Sequence, residues 1–268
     1  MNQIHRVSNQ IHRVSIMGLP IDALTHEQAV DRITAAMALG HGGWVITPNL
    51  DIVRQAHRTS ANRALFAAAD LILADGMPLV WASRLQGTPL PERVPGSDLV
   101  WSLPERAARL GAPVFLLGGA PGIAERAADR LMERFPDLKI AGTLSPPMGF
   151  ERDPAEVEAV LTTVRLADPR VVLVGLGFPK QEQLIRRLRP VCPHAWFLGV
   201  GISLAFLSHD VRRAPRWLQA VGLEWVHRLS QEPARLARRY LIDDLPFGLR
   251  LFVHAARTRW RTSRPTAG

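Results

Sequence analysis

Three short apolar runs in this chain end in glycine, and each is followed by a helical pattern. Val114–Leu117 runs into Gly118-Gly119, Val171–Val174 into Gly175-Leu176-Gly177, and Trp196–Leu198 into Gly199-Val200-Gly201. Brief apolar runs bounded by breakers read as strands buried on both faces. Trp44–Ile46, Leu71–Ala74 and Ile140–Gly142 fit the same description, and Val14–Met17 reads as a first strand. Strands that alternate with helices in this way argue for an α/β fold, a mostly parallel sheet with helices on both faces.

Between the strands, apolar positions recur at helical spacing. Thr25 is placed to cap a helix running to about Ala38, with Ala29, Ile33 and Met37 on one face. A single helix is expected from about Leu50 to Ala68, with Ile52, Val53, Ala56, Leu65 and Phe66 inward. At 268 residues the chain can bury a sizeable core as one α/β domain with an appendage. The division expected is an N-terminal extension with the first strand (1–17), a core (18–213) and a basic helical appendage (214–268). Asn2–Ser8 is repeated word for word as Asn9–Ser15, which is too short for a solenoid.

Charge sets the appendage apart. The net charge is +9, and from Phe206 onward twelve arginines face five acidic residues. Such a basic end suits an anionic partner, although it is also what a solvated helical face looks like. A helix from about Ala214 would align Trp217, Val221 and Trp225. Glu232-Pro233 would break it, and Arg235–Asp244 would form a short helix. The last helix, about Phe247 to Arg261, sets Arg250, His254, Arg257 and Arg261 against Leu249, Phe252, Val253, Ala256 and Trp260. That pattern fits the surface of a membrane, with a helix packed on its own domain as the plain alternative. No aromatics are interleaved for stacking on bases, so no nucleic acid is expected. No run reaches the roughly 18 apolar residues of a spanning helix. The N-terminus lacks the apolar centre of a signal peptide, and the lone Cys192 excludes an internal disulfide and fits a reducing cytoplasm.

Ligands of open α/β sheets bind beyond the carboxyl ends of the strands. Two of those ends are polar: Thr47-Pro48-Asn49, and Asp75-Gly76-Met77-Pro78. Asp75 can act there as a general base. It can also simply form the turn by bonding its own backbone, which spacing alone favours. Gly118, Gly175, Gly177, Gly199 and Gly201 would let backbone N–H groups approach a phosphate, and close strand–helix packing needs the same residue. The dinucleotide fingerprint is missing, because Gly175-Leu176-Gly177 continues as Phe178-Pro179-Lys180. No Asp-x-Asp pair or histidine cluster is present, so neither a metal nor a cofactor is expected. The positive charge for a diphosphate then falls to backbone amides and to arginines such as Arg93.

Taken together these strings resemble the WecG/TagA/CpsF family of bacterial glycosyltransferases, glycosyltransferase family 26. The resemblance rests on Thr47-Pro48-Asn49, Ala74–Pro78, Arg93–Asp98, Gly175–Glu182, Arg213–Pro215, Gly222–Leu229 and Glu232–Tyr240, which occur in family order. It implies a Rossmann-like domain with a membrane-associating appendage that helps complete the site. The implied reaction is a metal-independent, inverting transfer from a UDP-sugar to a polyprenyl-diphosphate-linked acceptor at the inner face of the cytoplasmic membrane. The sugar would be N-acetylmannosamine, its uronic acid or glucose. The resemblance makes Asp75 the catalytic base, reversing the reading from spacing. It makes Thr47, Asn49, Arg93 and Gln181 substrate contacts, and sets Arg228, Arg235 and Arg238 against a nucleotide or lipid diphosphate. The chain departs from the family over Ile202–Asp210, where Asp-Phe and a later glycine are expected, and at Ala234, which stands for an arginine. A non-catalytic nucleotide-sensing or scaffold protein on the same fold stays open as the alternative, and so does self-association.

Overall fold

The structure, a computed structural model, describes residues 11–220 and 222–262. It opens with a hairpin, β1 (Arg13–Ile16) paired antiparallel with β2 (Leu19–Asp22). Only the first of these strands is expected from the sequence. The connecting Met17-Gly18 has φ of 51° and 78°, the left-handed pair that matches the twist of hairpin strands. A methionine rarely occupies that conformation, which is why the turn is hidden in the sequence. Buried Asp22 accepts from Arg13 Nε and from the N–H of Ile72, both at 2.7 Å, and so ties the hairpin to the main sheet.

Helix α1 (His26–Ala38) starts at the expected Thr25, whose hydroxyl forms a capping box with Gln28. Then follow β3 (Gly43–Ile46), α2 (Leu50–Ala56), α3 (Ser60–Ala68), β4 (Leu71–Ile72) and α4 (Met77–Gln86). The single helix expected over 50–68 is therefore two. His57 follows the first, its two ring nitrogens each 2.8 Å from a carbonyl, of Val53 and of Met17, and Thr59 caps the second. The chain continues through α5 (Gly96–Leu110), β5 (Val114–Gly118), α6 (Ile123–Arg134), β6 (Ile140–Leu144) and α7 (Pro154–Ala167). Next come β7 (Val171–Gly175), α8 (Lys180–Leu188), β8 (Trp196–Gly199) and α9 (Ser203–Leu207).

The main sheet has six strands in the order β4-β3-β8-β7-β5-β6, all parallel. Successive side chains alternate between its faces. Trp44, Ile46, Val172, Val174 and Phe197 enter one apolar cluster, while Val45, Val171, Leu173 and Leu198 enter the other. Both faces are dry, which leaves the carboxyl rim as the place for polar chemistry.

The C-terminal part comprises α10 (Arg216–Ala220), α11 (Glu224–Gln231), α12 (Pro233–Ala237), a π-helical stretch over Arg238–Asp244, and α13 (Leu245–Thr262). Two expectations are corrected here. Trp217 and Trp225 do not share one helix face: Gly222, at φ 74°, parts two short helices, and Trp217 is 67% exposed. Val221 lies outside the described residues. The two helices expected over 235–244 and 247–261 are one continuous run from Pro233 to Thr262, widened just ahead of Pro246, which has no N–H to offer the ladder. Helix α13 lies along α4 and buries Phe247, Leu251 and Ala255 in the core. Leu249, Val253 and Trp260, from the expected apolar face, stay exposed. The helix thus packs on its own domain and still presents an apolar surface.

An ion network fixes this run to α2. Arg54 contacts Asp51, reaches Asp244 at 3.0 Å and lies 3.4 Å from Asp243. Arg239 adds contacts to Asp51 at 2.8 Å and to Asp244 at 3.5 Å. Breaking a mostly buried pair leaves a carboxylate uncompensated. Arg54→Ala leaves Arg239 to serve both carboxylates, so a loss of about 2–3 kcal/mol is expected in urea unfolding. Arg58→Ala, at the exposed edge of the same network, should cost less than about 1 kcal/mol.

Candidate active site

Asp75 follows β4 where the chain leaves the sheet. Its N–H donates to the carbonyl of Pro48 at 3.0 Å, joining the two polar strand ends. A Cβ on Gly76 would stand 3.5 Å from Asn49 Cα, so those ends touch. The N–H of Val94 donates to the Ala74 carbonyl at 2.7 Å, which fixes the neighbouring Arg93 close to Asp75. Arg93 pairs with Glu224 at 2.9 Å. Arg213 contacts the same Glu224 at 3.7 Å and Asp98 at 2.6 Å. Asp75 is half-buried, and loss of water around its carboxyl pushes its pKa up to about 7. The cations of Arg93 and Arg213 oppose that rise, while Glu224 and Asp98 add to it.

The other expected residues support this rim from within. Thr47 is buried and donates from Oγ1 to the carbonyl of Gly199 at 3.3 Å, bridging the ends of β3 and β8. Asn49 caps α2 by accepting from the N–H of Ile52 at 3.1 Å. Gln181 is 2% exposed. Its Oε1 accepts from the N–H groups of Gly177 at 3.0 Å and Gly201 at 3.1 Å, which ties two glycine turns together. The glycines fall into two groups. A side chain at Gly118 would collide with the Gly175 carbonyl at 2.6 Å, one at Gly175 with the Gly201 carbonyl at 2.9 Å, and one at Gly199 with Gln181. Those three serve close packing. Gly177 and Gly201, at φ 77° and 52°, have open space where a Cβ would be.

The appendage arginines differ in setting. Arg228 is half-buried, with an Nε that has no hydrogen-bond partner, whereas Arg238 is exposed. The side chain of Arg235 lies outside the described residues. Arg213, Glu224 and Asp98, which surround Asp75, are not singled out by the sequence. Their signal was present, because all three fall inside the strings quoted above, but charge spacing does not show which distant charges meet. In the departing segment, Asp210 pairs with Arg126 at 2.9 Å. Among the described residues, no three His, Cys, Asp or Glu side chains gather as a metal-ligand set.

Behind Gly199, Glu182 is fully buried. Its Oε1 accepts from Gln181 Nε2 at 2.9 Å, and its Oε2 has no partner. Burial pushes this carboxyl up to about 7. The folded state therefore holds its proton more tightly than the unfolded chain. This stabilising contribution is complete below the ordinary value of 4.5 and is lost as pH rises through about 7. Glu182→Gln keeps the acceptor for Gln181 and cannot ionise. Its stability relative to wild type should climb between pH 5 and pH 8 by up to about 3 kcal/mol. Denaturant melts at the two pH values read this directly, and a constant difference would contradict a buried, proton-bearing Glu182.

The Glycosyl transferase WecG/TagA/CpsF family matches residues 14–262 of this chain. The N-acetylglucosaminyldiphosphoundecaprenol N-acetyl-beta-D-mannosaminyltransferase of Bacillus spizizenii is 34% identical over 197 residues, which cover 74% of each chain. The chain belongs to the WecG/TagA/CpsF family and is a glycosyltransferase.

Proposed function

We propose that this glycosyltransferase moves a sugar from a UDP-sugar to a polyprenyl-diphosphate-linked acceptor, with inversion and with Asp75 as the base. The observation that carries this reading is Asp75 itself, a strand-end carboxyl pushed up to about 7 with Arg93 and Arg213 beside it. A base with that proton affinity is half ionised near neutral pH and can still hold the proton it takes. The carboxylate removes the acceptor hydroxyl proton, and the oxygen forms its bond to the anomeric carbon. The bond from that carbon to the diphosphate breaks on the opposite side, and the electron pair leaves with UDP. Arg93, Arg213 and Arg228 are the cations we assign to the diphosphate, in place of a metal. The Gly177 and Gly201 turns leave open space beside it, while their own N–H groups are taken by Gln181.

The relative's name supports N-acetylmannosamine as the first donor sugar to try and a GlcNAc-diphosphoundecaprenol as the acceptor. The changed 202–210 segment motivates testing the uronic acid and glucose beside it. Asp75→Asn should lower turnover by about a thousandfold or more while UDP binding stays within a few-fold of wild type. The wild-type rate should fall on the acid side of about pH 7 as Asp75 takes up its proton. Undiminished turnover by Asp75→Asn would remove Asp75 from the role.

No helix of the described residues is long and apolar enough to cross a membrane. We assign the exposed Leu241, Ile242, Leu245, Leu249, Val253 and Trp260, with Arg250 and Arg257 nearby in sequence, to contact with the cytoplasmic membrane surface. Leu249→Ser combined with Val253→Ser should weaken co-sedimentation with anionic vesicles by about tenfold, since two large apolar side chains no longer enter the interface. Unchanged sedimentation would place the contact elsewhere.

A further inference from the structure

We propose that Glu224 is a positioning residue for the transfer: carried in by the appendage, it sets Arg93 and Arg213 in place beside Asp75. The inference rests on the reading of Asp75 as the base. Two guanidinium groups from distant parts of the chain converge on one carboxylate, at 2.9 Å from Arg93 and 3.7 Å from Arg213. Only 16%, 21% and 18% of the side-chain surfaces of Arg93, Arg213 and Glu224 reach solvent, so water screens these charges weakly. Arg213 still has a buried Nη2 without a hydrogen-bond partner, a donor left unspent inside the cluster.

Glu224 is held where it is by backbone packing. It is the first residue of α11, two positions after Gly222. A Cβ at Gly222 would lie 2.8 Å from the Trp81 ring and 3.0 Å from Met77 Cβ. That turn is pressed onto the first turn and a half of α4, the helix that begins two residues after Asp75. The appendage and the base therefore share one anchor.

The charged groups facing Asp75 come from four segments: Arg93 from the loop before α5, Asp98 from α5, Arg213 from the segment after α9, and Glu224 from α11. The two cations favour the Asp75 carboxylate and the two anions oppose it. Glu224 offsets both arginines at once, so its loss should leave Asp75 a weaker base with less firmly held cations. Loss of Arg213 should act in the opposite sense.

The experiment follows the Asp75 side chain by 13C NMR in the substrate-free full-length protein, with aspartate carboxyl labelling and assignment by the signal missing from Asp75→Asn. Glu224→Gln should shift the Asp75 titration to lower pH by about half a unit or more, and Arg213→Gln should shift it upward by a similar amount. Glu224→Asp, which retains the charge, should return it toward wild type. The acid limb of kcat/KM should move in the same directions, which a merely structural role for Glu224 would not produce. If Glu224→Gln fails to fold, the upward shift in Arg213→Gln carries the test. An Asp75 titration that stays at its wild-type pH in the folded variants overturns the proposal, whatever the turnover of Asp75→Asn. Full turnover by Asp75→Asn overturns the base assignment and leaves the titration result standing on its own.

Discussion

A parallel sheet dry on both faces leaves one rim where this chain can be polar, and the rest of the molecule is arranged around that limit. Six strands interleave two apolar clusters, so side chains along them have no polar partners to meet. At the carboxyl ends the backbone must turn and satisfy itself. Thr47 bridges β3 to β8, and Gln181 bridges the turns after β7 and β8. The result is a stiff floor of hydrogen bonds beneath an open space at Gly177 and Gly201. Floor and opening come from the same requirement, that buried amide and carbonyl groups be paired.

Much of this was legible because it depends on local pattern. The apolar runs, the Thr25 cap and the glycine turns each report on a few neighbouring residues, and the parallel sheet follows from their order. What escaped was set at longer range. The second hairpin strand depends on a left-handed Met17, and the break at His57 lies against a carbonyl from the hairpin. Helix α13 illustrates the limit best. Its sequence contains two apolar stripes, and only the presence of α4 decides that Phe247, Leu251 and Ala255 go inside. At the site, Asp75 stands at a strand end and Arg93 beside a turn, and the family resemblance, not spacing, singles them out. Glu224 is not singled out, because its partners Arg93 and Arg213 lie 131 and 11 residues away, and only the fold brings all three together.

The C-terminal part is more deeply integrated than a basic tail needs to be. It is fastened at two places, by Arg54 and Arg239 sharing the carboxylates of Asp51 and Asp244, and by Glu224 reaching Arg93 and Arg213. The exposed Leu241 and Ile242 of the π-helical stretch lie beside the Asp244 anchor, and the exposed apolar side chains of α13 follow it. On the proposed readings, the surface assigned to the membrane and the carboxylate beside Arg93 and Arg213 belong to one packed C-terminal part.

Two carboxyl groups at the rim are pushed to about the same proton affinity by burial, and their surroundings separate their tasks. Around Glu182 the only side-chain partner shifting its affinity is the neutral amide of Gln181, and its second oxygen bonds to nothing. Burial alone keeps the proton there, and a proton held in a closed site can do no transfer. Asp75 lies among two cations and two anions in a half-buried position. Its protonation can therefore respond to whatever charge arrives or leaves nearby. On the proposed reading of Asp75 as the base, a diphosphate entering this cluster would add negative charge beside it and engage the arginines that now oppose its proton uptake. Substrate binding would itself make Asp75 the stronger base, a property that Glu182, with no charged neighbour, cannot acquire.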